Sequence, residues 1–106
     1  MPSSVTVNSN ICGFVHKVHG KLDGKNIIID IETPCEKIKK MSHMEIPIME
    51  TMAIKDNYVM NKAQELQCTP ICLVPCAVLH VCRMESGMLS KTLARKMGNI
   101  SIEFDE

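Results

Sequence analysis

The tetrapeptide Leu22-Asp23-Gly24-Lys25 does most to limit what this chain can become. Before it runs Phe14 to Lys21, which alternates moderately. After it runs Asn26 to Glu32, which carries Ile27, Ile28, Ile29 and Ile31. Asp-Gly between two such runs signals a tight β-hairpin, because glycine accepts the positive φ that strand twist imposes on a short turn. The residues predict a hairpin over about 14–32, with the β-branched strand buried.

The rest of the chain follows from turn and cap chemistry. Val5 to Asn8 reads as a short strand, and Ile11-Cys12-Gly13-Phe14 as a glycine break or bulge. Thr33-Pro34-Cys35-Glu36 reads as a helix start, with the helix carried through Ile38 and Met41 to about Met44. Pro47 permits a second short helix through Met52, and Asp56 or Asn57 can cap a third that carries Val59, Met60, Ala63 and Leu66. Pro75 suits the first position of a helix over Cys76 to Met84, which Gly87 ends. Leu89 to Met97 is weakly helical and basic. Gly98-Asn99 then turns into an alternating last strand, Ile100 to Phe104. The expected class is α+β: one domain over 1–106, with a small antiparallel sheet of N-terminal hairpin plus C-terminal strand, covered by helices on one face.

Composition excludes several functions. There are twelve basic and twelve acidic residues, no Trp, one Tyr and two Phe. Nucleic-acid binding calls for a basic surface or a stacking platform, and neither is present. Nothing approaches the roughly 20 apolar residues of a membrane span. The start, Met1-Pro2-Ser3-Ser4, has no basic region leading into an apolar one. A cytoplasmic, thiol-reducing setting is expected, which disfavours pairing the six cysteines as disulfides. With so few aromatics, the core falls to aliphatic residues and to the nine Met.

Chemistry concentrates in Cys68-Thr69-Pro70-Ile71-Cys72-Leu73-Val74-Pro75-Cys76. Three cysteines stand four residues apart with two stiffening prolines between them, and thiolates are soft ligands suited to zinc, copper(I) or iron–sulfur clusters. Cys12 beside Gly13 and Cys35 behind Pro34 also occupy element ends. Cys12, Cys35, Cys72 and Cys76 are therefore the candidate metal ligands. Cys68 and His80 remain open as further members, since His80 shares a helix face with Cys76 at a spacing of four. Cys82 reads as core. His16 and His19 face opposite sides of a strand and are expected at the surface, as is His43 at the end of a basic helix. The helical positions of Met41, Met44, Met49, Met52 and Met60 read as packing. No nucleophile–base order, paired carboxylates or phosphate-cradling loop stands out, so the expected role involves no turnover.

In cysteine placement and element order the chain resembles the NifU/IscU-type iron–sulfur scaffolds. Cys12-Gly13, Pro34-Cys35 and Cys72 or Cys76 fall at stations corresponding to that family's three cysteines, although Phe14 stands where the family has Asp. The resemblance implies cluster binding and a protein partner for cluster or sulfur delivery. The chain is also similar to a small uncharacterised microbial family with the same Cys-Gly-Phe and Cys-x₃-Cys-Pro-like features. Two alternatives remain: a sulfur-relay or redox protein with one activated thiol, Cys35 or Cys76, and an interaction module whose aliphatic strands pair as a homodimer.

Overall fold

A computed structural model describes residues 2–105. Its sheet is a four-stranded antiparallel meander in the order β1 (Ser3–Ser9), β2 (Phe14–Asp23), β3 (Asn26–Glu32) and β4 (His43–Pro47). The helices are α1 (Glu36–Lys39), α2 (Tyr58–Glu65), α3 (Leu73–Glu85) and α4 (Lys91–Met97), and a 3₁₀ turn covers Ile48–Thr51. The class is α+β, with helices packed on the sheet.

The hairpin forms with Asp23 opposite Asn26, which leaves Gly24 and Lys25 as the two-residue loop. Gly24 has φ +64° and Lys25 is not left-handed, so the loop is a type II′ turn with glycine first. Register then puts Val5, Val18 and Ile31 in one row, and Gly20, Ile29 and Met44 in another. These rows share the covered face, where Val18, Ile27, Ile29 and Ile46 meet Val74, Val78 and Val81 of α3 with no solvent exposure. α3 lies over β1 and β2. The open face is polar: Ser4, His19, Asp30 and His43 lie in line across it.

Three expectations are corrected. The helix from Cys35 does not reach Met44: α1 stops at Lys39, and residues 43–47 pair with β3. Met44-Glu45-Ile46 alternates with a period of two, Met44 and Ile46 are buried, and Pro47 could not have continued a helix. The fourth strand is thus β4 and not Ile100–Phe104, which is exposed and joins no sheet. α3 begins at Leu73 with Cys72 as its N-cap, so Pro75 is its third residue. The aliphatic strand β3 is interior, with its main chain paired to β2 on one side and β4 on the other.

The two ends of α2 are closed differently. Asn57 caps its start by accepting from the amides of Val59 and Met60 at 3.0 and 3.3 Å. At the other end Gln67 N–H donates to Gln64 O and Cys68 N–H to Ala63 O, a Schellman closure. It forces Gln67 to φ +59°, where glycine is usual.

Candidate functional site

The β1–β2 turn, the end of β3 and the start of α3 all lie at one end of the sheet, because β1 and β2 pair from Ser9–Phe14 and β3 finishes opposite Lys17. Each delivers cysteine. Cys12 is exposed in the 10–13 turn, which Gly13 closes by donating its N–H to Ser9 O at 2.8 Å. Cys35 precedes α1, and its amide donates to Thr33 Oγ1 at 3.0 Å. The same Thr33 hydroxyl lies 2.6 Å from His16 Nδ1. His16 is therefore not a surface residue. It is buried on the covered face, opposite Val7, and burial lowers its pKa. Cys68 follows the Schellman closure of α2, and Cys72 caps α3.

Two of these thiols, Cys68 and Cys72, are perturbed by burial and by their neighbours. Burial pushes the Cys68 thiol above its ordinary pKa, and Cys72 and Cys35 push it further, while the Lys37 ammonium pulls the other way. Lys37 is anchored nearby by donating to Gln67 O at 2.9 Å. Cys72 is also raised, first by burial and then by Cys35 and Cys12. The Val74 amide favours its thiolate without closing a full capping hydrogen bond. Cys35, Cys68 and Cys72 all pack against the core while remaining partly accessible. Such a group resists carrying several negative charges at once, and a bound cation would relieve that resistance. Among the described residues, no three His, Cys, Asp or Glu side chains already stand at metal-coordinating separation.

Cys76 is not in this group. It is the fourth residue of α3, past the free amides of the first turn, and it is exposed. Its Sγ lies 3.7 Å from His80 Nδ1, and that nitrogen donates to Cys76 O at 2.9 Å. Leu79, His80 and Arg83 line a shallow groove with it. Of the four candidate ligands, the structure brings Cys12, Cys35 and Cys72 to one end of the sheet with Cys68, and places Cys76 on the solvent side of α3. Helical geometry held the clue. Cys72 stands at the N-cap position, near enough to Cys35 and Cys12 to feel their charge, whereas a residue one turn into α3 follows the exposed face shared with His80 and Arg83. Cys82 is core, and burial pushes its thiol up to about 11.

A second polar cluster has no signature in the sequence. On the open face His19 Nε2 lies 2.6 Å from Glu32, and His43 lies 2.8 Å from Asp30 and 3.7 Å from Glu45. His43 sits on β4, not on a helix. The register His19–Asp30–His43 is a cross-strand relation that no single-strand pattern reveals.

No helix is long and apolar enough to cross a membrane among the described residues. No curated protein and no solved structure matches the chain. A family model described as a family of unknown function, DUF6951, matches residues 3–97. By the extent of that match, the chain belongs to this family.

Proposed function

We propose that this chain binds a thiophilic metal, either zinc or an iron–sulfur cluster, through Cys12, Cys35, Cys68 and Cys72. Its role is that of a cytoplasmic scaffold or carrier for a protein partner, without turnover of its own. The reading rests chiefly on one observation: thiols from three chain-distant segments share one end of the sheet, where Cys68 and Cys72 are raised by burial and then by neighbouring thiols. Four thiolates form a closed structural set for such a metal. Lys37 offsets part of their charge.

The test is anaerobic purification followed by metal analysis and a UV–visible spectrum, repeated for each cysteine as Ser. Loss of metal on changing Cys12, Cys35, Cys68 or Cys72, with Cys76→Ser unaffected, supports the reading. A protein that takes up neither zinc nor reconstituted iron and sulfide sinks it.

The second reading is thiol chemistry at Cys76, supported by its exposure and by the imidazole 3.7 Å away. It requires one thiol that alkylates far faster than the rest at neutral pH, and a loss of that reactivity in His80→Ala.

A further inference from the structure

The sheet has two free edges, and they differ in character. β4 is short, carries His43 and Glu45 and ends in Pro47, the features by which natural edges repel added strands. β1 has none of them. Its seven residues, Ser-Ser-Val-Thr-Val-Asn-Ser, include no charge, no proline and no bulge, and they pair in unbroken register with β2 on one side only. Its outer row of main-chain donors and acceptors is open to another strand.

The chain also holds a strand-like sequence pattern outside the sheet. Ile100, Ile102 and Phe104 alternate with Ser101, Glu103 and Asp105, and are 73 %, 81 % and 75 % exposed. They bury nothing within their own copy, although the pattern is that of a half-buried strand. α4, which leads into this segment, contributes no buried residue either.

Charge matches the two. Beside β1, Thr6 lies opposite Lys17 in the register, both on the open face. Lys17 and Lys21 have no ion-pair partner among the described residues, and neither have Glu103 and Asp105. A strand laid on β1 with Ile100, Ile102 and Phe104 on the covered face puts Glu103 and Asp105 on the open face, toward those lysines. The apolar row then extends the one that Val5 and Val7 begin.

We propose that Ile100–Phe104 of one copy adds to the free edge of β1 in a second copy, and the reverse, giving a reciprocally exchanged homodimer by β-strand addition. The proposal is independent of any metal.

Sedimentation and light scattering of the full chain, across a concentration series, test it. The expected result is a dimer that becomes a monomer when residues 98–106 are removed, with an unchanged circular dichroism spectrum and melting curve. Ile102→Lys in the full chain should weaken dimerisation by about tenfold or more. A synthetic peptide of residues 98–106 should bind the truncated chain and protect β1 amides from hydrogen exchange. A full chain that stays monomeric at millimolar concentration overturns the proposal. So does a dimer that survives truncation, which would mean pairing of β1 with β1. So does β1 protection in the full chain that is independent of concentration, which would mean that the segment folds back on its own copy.

Discussion

Val81 of α3 rests on the backbone of Gly20 in β2: a Cβ built at Gly20 would lie 2.4 Å from Val81 Cγ1 and 3.0 Å from Ile29 Cδ1. The helix reaches the sheet at this depth because position 20 has no side chain. Valine is stiff at χ1 and cannot swing aside, so Gly20→Ala forces α3 outward. The expected cost is about 1–3 kcal/mol, read by denaturant unfolding. Val81→Ala in the same chain should recover part of it, so that the double variant is less damaged than the sum of the singles. Strict additivity would show that the two positions do not share this contact.

Glu85 is a carboxylate at the C-terminal end of a helix, where the dipole disfavours it. Its partners explain its presence. It accepts from Ser3 Oγ, from the Leu22 amide at 2.9 Å and from Lys91 at 2.8 Å, tying α3 to β1, β2 and α4. Burial alone would raise its pKa, but these donors outweigh burial and hold it below the ordinary 4.5. A carboxylate lowered by folding contributes stability that is present above the unfolded value and lost as pH falls through the folded one. Stability should therefore fall with acidification below about pH 4.5, and Glu85→Gln should flatten that acid limb while lowering stability at neutral pH by about 1–3 kcal/mol. An unchanged acid limb in Glu85→Gln would refute the assignment.

Cys82 sets an alkaline limb. Folded, its thiol ionises at about 11, against an ordinary value of 9.0. The unfolded chain therefore ionises first, so the stability this group lends is intact below pH 9 and is lost as pH rises toward 11. For a shift of this size the loss is on the order of 3 kcal/mol. Metal-free Cys82→Ala, compared with the parent by denaturant melts across that range, should lack this component. Parallel pH curves would count against it.

The histidines should separate in an NMR titration. Asp30, by hydrogen bond and charge, and then Glu45 raise His43 above the ordinary 6.5, whereas burial lowers His16. His43 should protonate first as pH falls and His16 later. Asp30→Asn should bring His43 down without moving His16. Coincident midpoints would contradict both environments.

Gln67 occupies a left-handed position that glycine takes without cost. Gln67→Gly keeps the backbone carbonyl that Lys37 grips, and should stabilise the metal-free protein by about 0.5–1 kcal/mol. A loss of stability would mean that the glutamine side chain contributes more than the strain it carries.

Much of the fold is legible in the residues alone. The Asp-Gly hairpin, the cap at Asn57 and the stop at Gly87 depend on residues next to one another, and they form where expected. β4 is hidden because Thr33-Pro34-Cys35-Glu36 is a sound helix start, and the period-two alternation of Met44-Glu45-Ile46 is too short to outweigh it. What decides for the strand lies across the sheet, where Met44 and Ile46 pair with Ile29 and Ile27. Ile100–Phe104 shows the reverse: its local pattern is that of a strand, yet a strand needs a partner and its own copy supplies none. In the cysteine cluster the element ends are readable from turns and prolines. The choice between Cys68 and Cys76 is not, because it depends on where α3 begins and which way the helix faces.

The thiols at positions 12, 35, 68 and 72 come from a turn, a strand end and the two sides of a helix–helix joint. During synthesis the first is made long before the last, and α3 must lie down on the sheet before Cys72 arrives beside Cys12. A metal held by these four sulfurs, as proposed above, would need all of these segments in place. On the proposal of metal binding, loading would follow the docking of α3 on the sheet, and metal content would report how much of the protein has folded.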